Sequence, residues 1–330
     1  MSRGFDFDSF MDDFREADPY ARDRGIGTGR GGSSPSYSSV RLQLQKLREK
    51  EAMSDHLDSH LPTTRTASPD DRDFMLRSDR QRTPYTDRDR TYSLRPSEIH
   101  TLTEVGRFRV IAVEDLANLG YPSDRPGMES DLRNLVRQGL LQTRGTSALK
   151  KESQRVVTLT RQGQRFLRRE DLVPVDQTIY AGLVKPKEAD HDASLYRLYK
   201  KAASAIERDG GKVLRVQLDY ELKEKLYQKL GKARTQDDRQ NQRSKVAFAR
   251  ELHLPVVNGK VAFPDLRIEY ANQEMEISRV DLELATGHYH AEHLAEKARA
   301  GFQIYARSED AAGLRRVRDE REIMTAILSL

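Results

Sequence analysis

The sequence contains no cysteine and no tryptophan among its 330 residues. The lack of cysteine excludes disulfide bonds, iron–sulfur clusters, thiolate nucleophiles and cysteine-ligated zinc sites. No run approaches the ~18 uncharged apolar residues that a transmembrane helix needs, so we expect no membrane partner. The first residues carry acids where a secretory signal has a basic and then an apolar region. These absences predict a soluble, cytoplasmic protein, and the length suits two compact domains.

Large apolar residues are scarce in the first 96 positions, where Ile, Leu, Val and Phe together account for 14 residues, about 15%. A chain with less than ~20% of such residues can hardly bury enough apolar surface to offset its ordering entropy. The 17 basic and 17 acidic residues of this stretch also alternate in sign, as in DRDFMLRSDRQRTPYTDRDR. We therefore expect residues 1–95 to form a disordered polyampholyte tail.

Positive charge is concentrated in the middle of the chain. Residues 129–169 hold ten basic and three acidic side chains, a local charge of +7 (10 − 3). A patch of that charge on a folded unit attracts polyanions, whereas the same charges scattered over a surface would only keep the protein soluble. This segment therefore predicts a nucleic-acid partner.

Hydrophobic periodicity over residues 96–172 predicts three short helices followed by a hairpin. Apolar residues at three- and four-residue spacing indicate helices at about 97–106, 113–119 and 128–138. Strands at 140–144 and 155–160 follow, joined by a polar loop, and residues 161–169 return to helix. This order is that of a winged helix-turn-helix, in which the third helix fills the major groove and the hairpin reaches flanking phosphates.

The candidate DNA contacts lie on the third helix and on the hairpin. Arg and Asn can pair with the edges of guanine and adenine, and Lys and Arg neutralise phosphates. The groove candidates are Ser130, Arg133, Asn134 and Arg137, and the phosphate candidates are Lys150, Lys151 and Arg155. Two alternatives stay open: winged helices also serve as protein-interaction modules, and arginines on exposed helix faces are often only solvated.

Residues 173–189 contain two prolines and are expected to be a linker to a second domain at 190–330. The elements expected there alternate between helices and strands, which predicts a mixed α/β domain with a central sheet. Asp265 lies in one strand of a predicted hairpin, and Asp281 and Glu283 lie in the other, on one face by strand alternation. Carboxylates at neighbouring strand ends suit Mg²⁺, which prefers oxygen ligands and can activate water for phosphodiester cleavage.

This pattern resembles the PD-(D/E)xK nuclease superfamily, whose motif is Asp followed by Glu, any residue and Lys. The likeness is carried by Pro264, Asp265 and Glu283, and the chain departs from the motif at Ala285, where the lysine is expected. The resemblance implies a restriction-endonuclease-like mixed sheet with flanking helices, in which Asp265 and Glu283 bind Mg²⁺. Some members supply the lysine from the following helix, where this chain has Lys297.

The two halves together resemble bacterial replication-relaxation proteins of plasmids and integrative elements, which join a winged helix to a degenerate nuclease-like domain. The likeness is carried by EVGRFRVIAVEDL at 104–116, LDYELK at 218–223, PDLRIEY at 264–270 and DLELATGHYH at 281–290, and leaves the tail uncovered. It implies duplex DNA as the partner and a nucleoid- or plasmid-associated location. A homodimer, or a mobile-element protein bound through the tail, is a further partner to test.

Three histidines, His288, His290 and His293, lie within six residues and raise the question of a zinc site. No cysteine and no evident fourth ligand accompany them, so we favour structural or phosphate-contacting roles.

Three functions follow from these patterns. The first is a DNA-binding protein of a mobile element with a non-catalytic nuclease-like domain. The second is a Mg²⁺-dependent DNA endonuclease with Asp265, Glu283 and Lys297 as its catalytic residues. The third is a winged-helix transcriptional regulator. The sequence favours the first, because the motif position of the lysine is occupied by Ala285.

Overall fold

A computed structural model describes residues 81–87, 90–146, 154–184, 186–233, 237–287, 289–320 and 326–330. The predicted tail up to residue 80, Lys150, Lys151 and His288 lie outside these residues. The described chain has a mixed α+β fold. None of its helices combines the length and the apolar character needed to span a membrane.

The amino-terminal half contains the three predicted helices and the predicted hairpin. Its elements are β1 (Thr83–Asp87), β2 (Arg90–Leu94), α1 (Pro96–Arg107), β3 (Ile111–Ala112), α2 (Val113–Asp115), a π-helical turn (Leu116–Gly120), α3 (Arg125–Arg137), β4 (Leu141–Thr146), β5 (Gln154–Leu159) and α4 (Arg161–Arg169). Strands β3, β5 and β4 form a three-stranded antiparallel sheet in that order. The buried faces of the helices follow the apolar spacing, as expected for amphipathic helices on one core.

Strands β1 and β2 form an antiparallel hairpin, so the prediction of a disordered tail up to residue 95 is wrong for this segment. Tyr92 and Leu94 are buried. The rings of Tyr85 and Tyr92 meet Phe166 of α4 edge-on, with centroids 5.6 and 5.3 Å apart. Composition averaged over 96 residues hides this hairpin, because a strand needs apolar side chains on only one of its two faces.

The carboxy-terminal half is built on a five-stranded sheet. Its elements are α5 (Pro186–Arg208), β6 (Lys212–Leu218), α6 (Asp219–Ala233), α7 (Asp238–Glu251), β7 (Val256–Val257), β8 (Lys260–Val261), β9 (Leu266–Ala271), β10 (Ile277–Ala285), α8 (Ala291–Arg299), β11 (Gln303–Ala306), α9 (Ser308–Glu320) and β12 (Ile327–Ser329). The strand order is β12-β11-β10-β9-β6. Strands β6, β9 and β10 are antiparallel neighbours, whereas β11 and β12 run parallel to β10.

The predicted linker packs tightly and does not act as a spacer. The buried amide of Gln177 donates to the carbonyl of Val216 (2.9 Å) and accepts from its N–H (3.0 Å), which satisfies the open edge of β6. The N–H of Tyr180 donates to the carbonyl of Gly106 at 2.8 Å. Helix α5 then begins at Pro186, inside the segment that was expected to be linker.

Helix α5 joins the two halves. Tyr196 and Tyr199 on this helix contact Phe108 of the amino-terminal half, with ring centroids 5.4 and 5.3 Å apart. The same helix packs on β6, β9 and β10. One buried apolar cluster therefore includes residues of both halves, and a close-packed core of this kind fixes their relative position.

Candidate active site

The two faces of the five-stranded sheet differ in polarity. Val216, Ile268 and Leu282 belong to the apolar cluster that includes α5. Alternation places charged or polar side chains on the opposite face. They are Arg215, Gln217, Arg267, Glu269, Arg279, Asp281 and Glu283. The candidate site lies on this polar face, where β9 begins and β10 ends.

Asp265 directly precedes β9 and is held by backbone and by His191. Its Oδ2 accepts a hydrogen bond from the N–H of Leu284 at 2.9 Å, and the Nε2 of His191 lies 3.7 Å from its Oδ1. Burial alone would raise the pKa of Asp265. His191, the Leu284 N–H and Lys297 outweigh it, so the pKa falls below its ordinary value. Asp265 is therefore an anion at neutral pH.

Glu283 is 1% exposed and meets Lys297 and Tyr289 inside the site. The Nζ of Lys297 lies 2.7 Å from Oε1 of Glu283 and donates to the carbonyl of Phe263 at 2.8 Å. The hydroxyl of Tyr289 donates to the same Oε1 at 2.6 Å. The second oxygen, Oε2, is buried and has no hydrogen-bond partner among the described residues.

The two carboxylates influence each other. Burial is the main cause that raises the pKa of Glu283 to about 7, and the negative charge of Asp265 raises it further, against the opposing effect of Lys297. Near neutral pH one acid is thus ionised while the other exchanges a proton, as expected for a close carboxylate pair. A divalent cation could replace that proton, because Oε2 of Glu283 has no hydrogen-bond partner among the described residues and carboxylate oxygens suit such an ion.

These groups open into a cleft of about 370 Å³ lined by α6, α8 and the β7–β8 hairpin. Two further lysines, Lys223 and Lys260, line the cleft together with Lys297. Lys223 pairs with Asp219 at 2.7 Å, and His293 stacks on Tyr289 with ring centroids 4.6 Å apart. The cleft thus combines acids at its base with cations that could contact a phosphodiester.

The structure brings together Asp265, Glu283 and Lys297, the three residues that the family resemblance singled out. Ala285 lies under α8 in a small apolar cluster with Leu294. A lysine at position 285 would have to displace that helix. The small alanine side chain lets α8 lie against the sheet, and Lys297 reaches Glu283 from there.

Asp281, grouped with Glu283 by strand alternation, and His290, for which a metal role was weighed and not favoured, do not join the site. Asp281 is bound by the guanidinium of Arg267, at 2.6 and 2.8 Å. His290 is exposed at the start of α8. Among the residues that the structure describes, no group of three or more His, Cys, Asp or Glu side chains is placed to hold a metal. An ion in the cleft would therefore depend on Asp265 and Glu283, with water and substrate oxygens completing its shell.

The β1–β2 hairpin covers one side of α3. Asn134 is 6% exposed, and its amide nitrogen donates to Glu98 (2.8 Å) and to the carbonyl of Ser93 (3.3 Å). The hydroxyl of Ser130 accepts from Arg95 at 3.2 Å. The prediction that Asn134 lies on an open, groove-facing side is wrong, because a strand assigned to the tail occupies that side.

The remaining DNA candidates within the described residues are exposed. Arg133 and Arg137 lie on the outer side of α3, and Arg155 lies on β5. Arg137 also donates to the side-chain oxygen of Asn134 at 2.8 Å.

His191 and Tyr289 belong to the site although the sequence did not assign them to it. Tyr289 stands between two histidines that drew attention to metal binding, and the signal that could have found it is its place in the turn after the strand of Glu283. His191 is 74 residues from Asp265 in the sequence, so only the packing of α5 beneath the sheet reveals the contact.

No protein-family model matches this chain, and comparisons with curated proteins and with solved structures yield no significant match.

Proposed function

We propose that this protein is a metal-dependent DNA endonuclease. The observation that carries the proposal is the meeting of Asp265, Glu283 and Lys297 in one open cleft, with the lysine ammonium 2.7 Å from Glu283. Two acids and a lysine are the groups that the PD-(D/E)xK resemblance implies. The antiparallel β6, β9 and β10, followed by α8 and a parallel β11, support the same assignment.

Each side chain has a role that follows from its contacts. Asp265 and the free oxygen of Glu283 would hold Mg²⁺, which when bound activates water and stabilises charge on the phosphodiester. Lys297, anchored by the carbonyl of Phe263, lies beside the same space, where its ammonium group can stabilise the transition state. Tyr289 orients Glu283, and His191 helps to keep Asp265 ionised.

Support for DNA as the substrate comes from the amino-terminal half. Three short helices followed by a small antiparallel sheet are the elements of a winged helix, and Arg133, Arg137 and Arg155 are exposed on it. The proposal that this protein acts on a plasmid or integrative element rests on the family resemblance alone.

A second candidate is a non-catalytic DNA-binding protein, or a regulator, that retains a nuclease-like fold. The observation in its favour is that the Glu283 side chain is buried and already contacts Lys297 and Tyr289. In that reading the ion pair would stabilise the domain instead of serving a reaction.

Incubation of the full chain with supercoiled plasmid and Mg²⁺ or Mn²⁺ tests the proposal. We expect nicking that EDTA abolishes and that Asp265→Asn slows by roughly 10²–10³-fold. Glu296→Gln, at the rim of the same cleft, is the matched control and should retain activity. Equal nicking by Asp265→Asn would assign the activity to a contaminant. Intact DNA binding without cleavage would establish the second candidate.

A further inference from the structure

A second concavity, of about 760 Å³, lies between the β1–β2 hairpin and α4, away from the cleft. Four arginines line it, one from the hairpin and three from the helix: Arg90, Arg165, Arg168 and Arg169. Among the described residues that line it, Asp87 is the only acid. We refer to this surface as the arginine concavity.

Helix α4 presents its cations in a row. Its sequence, RQGQRFLRR, has four arginines and no acid. The exposed Arg161, Arg165 and Arg168 are four and three residues apart, which places them on one side of the helix, about 6 and 4.5 Å apart along its axis. A polymer with regularly spaced phosphates can contact such a row at several points, whereas a small anion would use only one or two of these charges.

Of the four arginines that line the concavity, three have no carboxylate partner within the described residues. Arg169 forms an ion pair with Asp87. Arg90 instead donates to the side-chain oxygen of Gln162 at 2.9 Å, and Arg168 donates to the carbonyl of Gln177 at 2.8 Å. Neutral acceptors hold a guanidinium in place without cancelling its charge. These arginines are therefore oriented in advance for a polyanion, and their planar forks suit phosphate.

We propose that the arginine concavity is the main duplex-DNA docking surface of this protein, in preference to the outer side of α3. The proposal rests on the proposed function, which makes DNA the polyanion. On α3 three cations are exposed, Arg125, Arg133 and Arg137, and the charge of Arg125 is offset by Glu114 at 2.8 Å and by Glu129. The hairpin and α4 also share the buried cluster that reaches α5 and the sheet. A docked duplex would thus keep a fixed relation to the cleft.

Three paired substitutions in the full chain test this surface, each removing two positive charges. Arg90→Ala with Arg165→Ala probes the concavity, and Arg133→Ala with Arg137→Ala probes α3. Arg239→Ala with Arg316→Ala, both exposed in the carboxy-terminal half, is the matched control. The readout is fluorescence anisotropy with a 24-base-pair duplex in EDTA, so that binding is measured without cleavage, over a series of salt concentrations from 50 to 200 mM.

We expect the concavity pair to raise Kd roughly tenfold and to reduce the slope of log Kd against log salt concentration by about 2, as for two lost phosphate contacts. The control pair should leave both quantities nearly unchanged. An unchanged Kd and slope for the concavity pair, or a larger loss for the α3 pair, would overturn the proposal. A second outcome would also overturn the proposal. If a synthetic peptide of residues 5–16, FDFDSFMDDFRE, bound the wild-type protein tightly and the concavity pair bound DNA with unchanged affinity, the surface would be a docking site for the chain's own acidic segment.

Failure of the proposed nuclease activity is separable from failure of this docking surface. Asp265→Asn should bind the duplex with wild-type affinity in the same assay. The concavity pair should raise the DNA concentration needed for half-maximal cleavage and leave the rate at saturation unchanged.

Discussion

The acids of the cleft and the arginines of the concavity are held in opposite ways. In the cleft, charged groups are buried and meet other charged groups, as Glu283 meets Lys297 at 2.7 Å. In the concavity, the cations are exposed and two of them are held by neutral acceptors. Removing one member of a buried ion pair lowers the free energy of unfolding by several kcal/mol. An exposed charge contributes little by itself, and salt screens its interactions.

This difference separates two kinds of function. A desolvated site with few groups can act on a single bond, and its reaction rate should fall steeply when one side chain is changed. A row of solvated cations can bind a long polyanion. The binding affinity should fall by a small factor for each cation removed, and it should depend on salt concentration. Single substitutions in the two surfaces should therefore differ in the size of their effects and in salt dependence.

The largest effect is expected for Lys297→Met. The variant removes the ammonium that faces Glu283 and the cleft, so the single-turnover rate of cleavage should fall by roughly 10²–10³-fold while duplex affinity stays at the wild-type level. Lys223→Met, a lysine in the lining of the same cleft, is the control and should cost less than about tenfold. A loss of duplex affinity with an unchanged cleavage rate would instead show that Lys297 contributes to DNA binding, as the arginines of the concavity are proposed to do.

A smaller effect is expected where the two halves meet. Arg109 of the amino-terminal half pairs with Asp192 of α5 at 3.0 Å and lies 4.2 Å from the centre of the Tyr220 ring. Burial raises the pKa of Asp192 to about 6, although Arg109 opposes the shift. The folded protein therefore binds this proton more tightly than the unfolded chain does. Its contribution to stability is fully present below about pH 4 and is lost as the pH rises through 6.

Urea unfolding of wild type and Asp192→Asn between pH 4 and 7 measures that contribution. The wild-type free energy of unfolding, relative to the variant, should fall by up to about 3 kcal/mol across this range, because only the wild type carries the titrating group. Ser194→Ala, a buried hydroxyl on the same helix that does not titrate, should give a constant difference. Parallel profiles for Asp192→Asn and wild type would contradict the assigned pKa.

The resemblance to the PD-(D/E)xK superfamily located the cleft, because it singled out Asp265, Glu283 and Lys297. Strand alternation by itself grouped Glu283 with Asp281, whose carboxylate binds Arg267 instead. The surroundings of α3 were not predictable in this way. Whether Asn134 is open or buried depends on a hairpin about 40 residues earlier, whose buried residues Tyr92 and Leu94 are too few to register in the composition. Gln177 was likewise read as linker, since its bonding partner lies on the edge of a distant strand.

Asn134→Ala tests the reassignment of α3 and carries the smallest expected effect. Its amide donates to the buried carboxylate of Glu98 at 2.8 Å, so truncation should leave that acceptor with one donor fewer and lower the free energy of unfolding by about 1–2 kcal/mol. Arg133→Ala, one residue away and exposed, should change stability by less than ~0.5 kcal/mol. Affinity for duplex DNA should be unchanged in Asn134→Ala, because the side chain faces the hairpin. A variant of full stability that had lost discrimination between DNA sequences would show that Asn134 reaches a base edge, and the hairpin would then have to move aside when DNA binds.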